Sequence, residues 1–201
     1  MTKMKFCGLS RTCDIDAVNA LKPEYIGFVF APKSKRCVSP DRAVELKSLL
    51  ADEIKAVGVF VNADPQYVAK LLNTGVIDIV QLHGSEDEEY IRHLRKLMDK
   101  PIIRAFRVKT TDDIAEAEKS TADYVLLDSG AGTGEVFDWK LIKNMKRPYF
   151  LAGGLSPDNV ENAFEQLIPY AVDVSSGIET DGVKDKAKMA AFAAAVRGEM
   201  I

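Results

Sequence analysis

The chain has 201 residues, of which 47% are hydrophobic and 28% are charged. This length and composition suit one globular domain that buries roughly 70% of its unfolded surface, and we expect residues 1–201 to form a single domain. The formal net charge is -3, and no window gathers five or more lysines and arginines. We therefore expect no nucleic-acid partner, and any bound anion must be held by a local site.

The sequence also argues against a membrane, a disulfide framework and a structural metal site. The lysines near the N-terminus are not followed by an apolar stretch, and no segment approaches the roughly 18 apolar residues of a membrane span. Cys7, Cys13 and Cys37 form no C-x-x-C pair. We expect reduced thiols, no metal and a cytoplasmic protein.

Short aliphatic runs at regular spacing predict eight strands. Continuous runs such as residues 56–61 are typical of strands covered on both faces, as in parallel sheets. The predicted strands are Met4–Gly8, Tyr25–Phe30, Ile54–Val61, Ile77–His83, Pro101–Val108, Asp123–Asp128, Tyr149–Gly153 and Ala171–Ser175.

Helical patterns separate the predicted strands. Ser39-Pro40 and Asp64-Pro65 are N-cap residues followed by proline, and Ser156-Pro157 is expected to open the seventh helix in the same way. Asp87 precedes two glutamates at the start of the fourth helix, and residues 184–196 form an alanine-rich final helix.

Eight consecutive strand-helix units predict an α/β fold, a single-domain (β/α)₈ TIM barrel, although about 250 residues is typical for this fold. A doubly wound open sheet is the alternative, but it seldom has eight regular units without an antiparallel edge. In a barrel, catalytic groups lie at the carboxyl ends of the strands. The polar and glycine residues at or near those ends are Cys7, Arg36, Gln81, His83, Arg107, Asp128, Gly153, Gly154, Asp173, Ser175, Ser176 and Gly177.

The loops after strands 7 and 8 predict a phosphate site. Gly153 and Gly154 follow strand 7, and the Ser175-Ser176-Gly177 run follows strand 8, so backbone N–H groups can converge on an anion. We expect a short helix to begin at Ile178-Glu179 with its N-terminus facing that anion. Simple tight turns are the alternative reading of both segments.

Cys7 and Asp128 are candidates for an acid-base pair. Partial desolvation at the barrel mouth would raise the pKa of Asp128 and let it act as an acid, although it could instead cap a helix. A thiol has a reference pKa of about 8.5, so Cys7 needs a cationic or dipolar neighbour to ionise at neutral pH. Lys5 lies on the same face of the strand. Packing is the alternative role for Cys7, and we assign it to Cys13 and Cys37.

Two further residues bear on ligand binding. Arg36 lies in the basic loop 31–37. Its guanidinium could pair bidentately with a substrate carboxylate, or it could be a solvated surface charge. His83 lacks the spaced partners of a metal site, so we expect it to be a hydrogen-bonded residue at the rim.

Seven motifs, which follow one another along the chain and lie at the ends of most strands, resemble those of the phosphoribosylanthranilate isomerase family. The resemblance runs through all eight units. They are residues 5–8 (KFCG), 34–40 (SKRCVSP), 80–84 (VQLHG), 126–128 (LLD), 132–134 with 137–139 (GTG and FDW), 151–155 (LAGGL) and 173–179 (DVSSGIE). The resemblance implies a cofactor-free Amadori rearrangement in tryptophan biosynthesis. Its substrate would be N-(5'-phosphoribosyl)anthranilate and its product 1-(2-carboxyphenylamino)-1-deoxyribulose 5-phosphate.

The resemblance also implies residue roles. Asp128 would protonate the furanose oxygen, Cys7 would remove the C2 proton, and Arg36 would hold the anthranilate carboxylate. Asp173 would contact the sugar or amine. We expect substrate contacts from Gln81 and His83 as well, and phosphate contacts from Gly153, Gly154, Ser175, Ser176 and Gly177, without a cofactor.

The sixth loop departs from the family pattern, and other functions remain open. Residues 129–135 look short, with Ala131 where a glycine is common, so we expect altered lid closure to affect turnover or selectivity. Another phosphosugar barrel, or a non-catalytic phosphate sensor, is an alternative function. A histidine-pathway isomerase would use an Asp/Asp pair, whereas strand 1 of this chain ends in Cys7. An indole-glycerol-phosphate synthase would use a Lys/Glu set, which these motifs do not match. The sequence leaves the oligomeric state undetermined, with a homodimer as one possibility.

Overall fold

The computed structural model describes residues 2–128, 139–143 and 145–198. Eight parallel strands pair in chain order and the eighth pairs with the first, which closes the barrel and confirms the predicted fold. All eight strands lie within two residues of their predicted bounds. They are β1 (Lys3–Cys7), β2 (Tyr25–Val29), β3 (Lys55–Phe60), β4 (Ile79–Leu82), β5 (Ile102–Arg107), β6 (Tyr124–Asp128), β7 (Tyr149–Leu151) and β8 (Ala171–Val174).

Helices cover the outside of the barrel. They are α1 (Thr12–Leu21), α2 (Pro40–Ser48), α3 (Pro65–Asn73), α4 (Glu88–Arg95), α5 (Thr111–Lys119), α6 (Val160–Phe164) and α7 (Lys186–Arg197), with a 3₁₀ helix (Trp139–Ile142) before β7. The predicted caps Ser39, Asp64 and Asp87 each accept a backbone N–H from the first turn. Among the described residues, every helix is too short or too polar to span a bilayer.

Three helix boundaries differ from the sequence prediction. Ser156 does not cap the helix after β7: its N–H donates to Oδ1 of Asn159 at 2.8 Å, and the helix begins only at Val160. A single 3₁₀ turn (Ser176–Ile178) replaces the helix expected at Ile178-Glu179. Glu179–Thr180 then forms β9, which pairs with β10 (Val183–Lys184), so α7 starts two residues later than predicted.

The strand alternation separates two layers of core. On β1, Met4 and Phe6 face the helices and join the large cluster between sheet and helices. Lys5 and Cys7 alternate with them and face the barrel interior. A second cluster, which includes Tyr25 and Phe150, fills the interior. The same alternation directs one side of every strand towards the barrel interior, and the residues on that side at the carboxyl ends lie at the barrel mouth.

Candidate active site

A cavity of about 380 Å³ lies at the carboxyl ends of the strands. Its volume is in the range of small-molecule sites. Ten residues predicted from the sequence line it: Cys7, Arg36, Gln81, His83, Asp128, Gly153, Gly154, Asp173, Ser175 and Ser176. Gly177 is not part of this lining, and Arg107 is exposed at the end of β5 and does not contribute either.

Cys7 and Asp173, which line the cavity, form a buried polar group with Lys5, which lies below them in the barrel interior. The Lys5 ammonium, whose side chain is fully buried, donates to Oδ1 of Asp173 at 2.9 Å. Burial lowers the pKa of Lys5, but the charges of Asp173 and Cys7 outweigh this and leave it above its ordinary value. Lys5 is thus the cationic neighbour that the strand alternation predicted for Cys7.

The Cys7 thiol has a raised pKa in the absence of ligand. Burial is the largest cause, and the charge of Asp173 adds to it, whereas Lys5 and Lys184 act in the opposite direction. Cys7 therefore holds its proton more tightly than an ordinary thiol, and any change that favours Lys5 over Asp173 promotes the thiolate.

Asp128 lies beside an ordered histidine. Its Oδ2 is 3.3 Å from Nε2 of His83, and Nδ1 of His83 is 2.9 Å from Nε2 of Gln81. Because the Gln81 amide nitrogen donates to Nδ1, a neutral His83 carries its proton on Nε2, facing Asp128. Within the described part of the chain, the buried Oε1 of Gln81 has no hydrogen-bond donor, so it is available to a ligand hydroxyl.

Arg36 is held by a residue that the sequence did not identify. Glu179 accepts from Nε of Arg36 at 2.6 Å and from Nη2 at 2.7 Å. It also accepts from the buried Lys184 ammonium at 2.6 Å. Burial raises the pKa of Glu179, but hydrogen bonds from Arg36 and Lys184 outweigh it and hold the pKa below its ordinary value. The Nη1–Nη2 edge of Arg36 can still present a fork to a carboxylate.

An apolar wall lies beside these charges. Cys7, Val29, Ala31 and Val59 form a separate buried cluster, and all four line the cavity. Residues of this type, placed next to Arg36, suit a flat aromatic group that carries a carboxylate. The sequence prediction missed this wall because buried valines and alanines look the same in a strand whether or not they border a cavity.

The loops after β7 and β8 pack closely where the phosphate was predicted. Gly153 and Gly154 both have positive φ, at 86° and 68°. A Cβ on Gly177 would lie 1.9 Å from the carbonyl oxygen of Leu155, so glycine is required for the two loops to meet. Ser175 donates to the Cys7 carbonyl at 3.0 Å, which ties this loop to β1.

Two further expectations concern the sixth loop and a metal site. The sixth loop, with Ala131 and residues 132–134, lies outside the described residues. Among those that are described, no cluster of three or more His, Cys, Asp or Glu side chains is placed to hold a metal ion.

Comparison with known proteins points to one family. The model of the N-(5'phosphoribosyl)anthranilate (PRA) isomerase family matches residues 4–195. The N-(5'-phosphoribosyl)anthranilate isomerase of Endomicrobium trichonymphae is 47% identical in an alignment of 194 residues that covers 94% of this chain and 95% of that protein.

Solved structures agree with the family match. The phosphoribosyl anthranilate isomerase of Thermotoga maritima superposes with a TM-score of 0.89 at 34% identity, covering 98% of this chain and 100% of that one. A phosphoribosyl anthranilate isomerase in complex with reduced 1-(o-carboxyphenylamino)-1-deoxyribulose 5-phosphate gives a TM-score of 0.87 at 34% identity, with the same coverage.

Proposed function

Because this chain belongs to the N-(5'-phosphoribosyl)anthranilate (PRA) isomerase family, we propose that it carries out the Amadori rearrangement of tryptophan biosynthesis. Its substrate is N-(5'-phosphoribosyl)anthranilate and its product is 1-(2-carboxyphenylamino)-1-deoxyribulose 5-phosphate. The observation that carries the proposal is one cavity lined by Cys7, Asp128 and Arg36, with the two glycine and serine loops at its edge. We place this reaction in a single barrel domain of residues 1–201 and in the cytoplasm.

Asp128 is the general acid in this proposal. It transfers a proton to the furanose ring oxygen as the C1–O bond breaks, and the anthranilate nitrogen supplies the electron pair that forms the C1=N⁺ iminium. His83, 3.3 Å away, directs its Nε2 at the same carboxyl group and stabilises the carboxylate that remains.

Cys7 is the general base. Its thiolate removes the proton from C2, and the C–H electron pair moves towards the iminium to form the enolamine. The enolamine then tautomerises: the C2 hydroxyl becomes the ketone and C1 gains a proton. The iminium is itself the electron acceptor, so the reaction balances without a cofactor.

The remaining residues bind the two ends of the substrate. The free edge of Arg36 pairs with the anthranilate carboxylate, and the aromatic ring lies against Val29 and Val59. Gly154 and Ser176 hold the phosphate with their neighbours in the two loops. Asp173 and the buried Oε1 of Gln81 accept hydrogen bonds from the sugar hydroxyls or the amine.

A fluorescence assay of freshly made phosphoribosylanthranilate tests the proposal. The wild-type protein is expected to consume the substrate, and Cys7→Ala is expected to lose nearly all activity with unchanged circular dichroism. The matched control is C13S/C37S, which removes the two exposed thiols and should retain full activity. Absence of turnover in the wild type would refute the assignment, whereas full activity of Cys7→Ala would refute only the role of Cys7.

A further inference from the structure

A lysine occupies the barrel interior next to the proposed base. Lys5 is fully buried, and its ammonium contacts a carboxylate that is itself only 8% exposed. Burying such a pair is a poor way to stabilise a fold, since the desolvation cost can exceed the attraction between the charges. An aliphatic residue at this inward-facing position would fill the same space at lower cost. The lysine therefore calls for a role other than packing.

Gly27 on β2 provides the space in which the lysine and the thiol meet. A Cβ built on Gly27 would lie 2.7 Å from Sγ of Cys7 and 3.3 Å from Nζ of Lys5. Both groups thus border the small volume that the missing side chain leaves open. The charge on the lysine is consequently adjacent to the sulfur, with no side chain of β2 between them.

Other charged groups also face the thiol, but they are already engaged. Lys184 on β10 and Arg36 in the loop after β2 both interact electrostatically with Cys7. Both donate to Glu179, which offsets part of their positive charge. Asp173 on β8 is the nearby negative group, and it is bound directly to Lys5.

We propose that Lys5 is a positioning residue that stabilises the thiolate of Cys7, and that Asp173 controls how strongly it does so. The inference rests on the proposed role of Cys7 as the base and extends it to the residues that make the thiol ionise. When a substrate hydroxyl or amine binds Asp173, more of the Lys5 charge becomes available to the sulfur. Substrate binding then promotes ionisation of the base that acts on it.

The experiment measures the alkylation rate of Cys7 with iodoacetamide as a function of pH, in the C13S/C37S background. An opposite charge within about 4–6 Å of an ionisable group shifts its pKa by about one to three units. We expect Lys5→Met to lower the rate at neutral pH about 10-fold or more, and Asp173→Asn to raise it. Lys5→Met/Asp173→Asn should fall between Lys5→Met and the background protein, because Lys5 influences the thiol more than Asp173 does.

Lys3→Met is the matched control. Lys3 lies two residues earlier on the same strand, at the other end of the barrel, so its removal should leave the titration of Cys7 unchanged. The double variant also replaces the buried carboxylate that Lys5→Met leaves unpaired. Its alkylation curve therefore tests the inference even if the single variant fails to fold. Equal titration curves for the background, double and Asp173→Asn proteins would overturn the inference.

The readout also separates this inference from the proposed function. Alkylation needs no substrate, so a protein that is inactive on phosphoribosylanthranilate still reports whether Lys5 controls the thiol. In an active protein, the acidic limb of the kcat/KM profile should move to higher pH in Lys5→Met, in step with the alkylation curve. An alkylation shift without turnover in the background protein would refute the function and retain the pairing.

Discussion

The two ends of the barrel each contain a lysine of β1, and they surround it with different chemistry. Towards the mouth, and just below the cavity, Lys5 is bound to the carboxylate of Asp173 and lies next to a thiol. At the opposite end, Lys3 donates to the hydroxyl of Tyr170 at 2.7 Å and lies 4.5 Å from the centre of that ring. The same side chain, on the same face of one strand, therefore meets a carboxyl group and a thiol at one end and phenols at the other.

The base of the barrel is a hydrogen-bonded aromatic cluster. The hydroxyls of Tyr25 and Tyr170 lie 2.9 Å apart, and those of Tyr170 and Tyr124 lie 3.4 Å apart. The rings of Tyr124 and Tyr170 stack with centres 4.9 Å apart. The hydrogen bond with Tyr170 and burial raise the pKa of Tyr124 to about 12, so its phenol is neutral at physiological pH.

The comparison shows where the chain accepts an electrostatic cost. Phenols and aromatic rings satisfy Lys3 without placing a second full charge in the interior, which suits a closing layer that only has to be stable. The mouth retains carboxylates, a thiol and buried lysines against an open cavity. That arrangement is costly to bury and is useful mainly for proton transfer and anion binding.

The largest difference in kcat between the two ends should come from substitutions on β6, which has an inward-facing residue at each end of the barrel. Asp128→Asn removes the proposed acid and should lower kcat by about 10²–10⁴-fold, the usual contribution of a general acid. Tyr124→Phe, at the base, should leave kcat and KM unchanged. Steady-state assays of both variants provide the test, and equal kcat losses would abolish the distinction between the ends.

Glu179→Gln should affect substrate binding at the mouth more than turnover. The amide cannot accept two charged hydrogen bonds from Arg36 as the carboxylate does, so the guanidinium loses its orientation. A hydrogen bond to a charged group contributes about 1.5–3 kcal/mol, and we expect KM to rise about 10-fold with kcat nearly constant.

Arg36→Ala is the companion variant for that measurement. It should raise KM at least as much as Glu179→Gln does. Combining the two should add little, because Glu179 acts through Arg36. Additive effects on KM would show that Glu179 influences substrate binding independently of Arg36.

The sequence predicted the barrel well because its signals are local. Aliphatic runs mark the strands, and Ser39 and Asp64 cap helices within a few residues of themselves. Where the local signal was ambiguous, the prediction was wrong. Ser156-Pro157 resembles a cap but forms a turn before Asn159, and Glu179 resembles a helix start but pairs in β9.

The sequence was enough to locate the site residues at one end of the barrel, but it did not show which side chains contact one another. Their positions at or near the carboxyl ends of their strands place Cys7, Asp128 and Asp173 at one end of the barrel, whichever partners they have. The contacts that tune them are distant in sequence: Lys5 is 168 residues from Asp173, and Arg36 is 143 residues from Glu179. Such pairs depend on the register in which β8 pairs with β1 and on the β9–β10 hairpin, and no pattern in the sequence predicts either of them.

At the base, Tyr170→Phe should lower stability without changing catalysis. The substitution removes the acceptor of the Lys3 ammonium and a partner of Tyr25, while it retains the stacked ring. We expect the free energy of unfolding to fall by about 1–2 kcal/mol, measured by urea denaturation, with kcat and KM at wild-type values. A drop in kcat of the same order as that of Asp128→Asn would mean that the base is coupled to the chemistry.

The smallest effect concerns pH, and it separates the two ends by charge. Because hydrogen bonds to Arg36 and Lys184 hold the folded pKa of Glu179 below its ordinary value of 4.5, this carboxylate adds stability that is fully present above that value. The stability is lost as the pH falls through the folded pKa. The deficit of Glu179→Gln relative to wild type, about 1 kcal/mol at pH 7, should therefore shrink over the acidic interval below about pH 4.5. The deficit of Tyr170→Phe should stay constant over that interval, since neither a phenol nor a lysine titrates there. Urea denaturation of the three proteins at several pH values measures both trends, and a Glu179→Gln deficit that stayed constant on acidification would show that the carboxylate is not stabilised by its ion pairs.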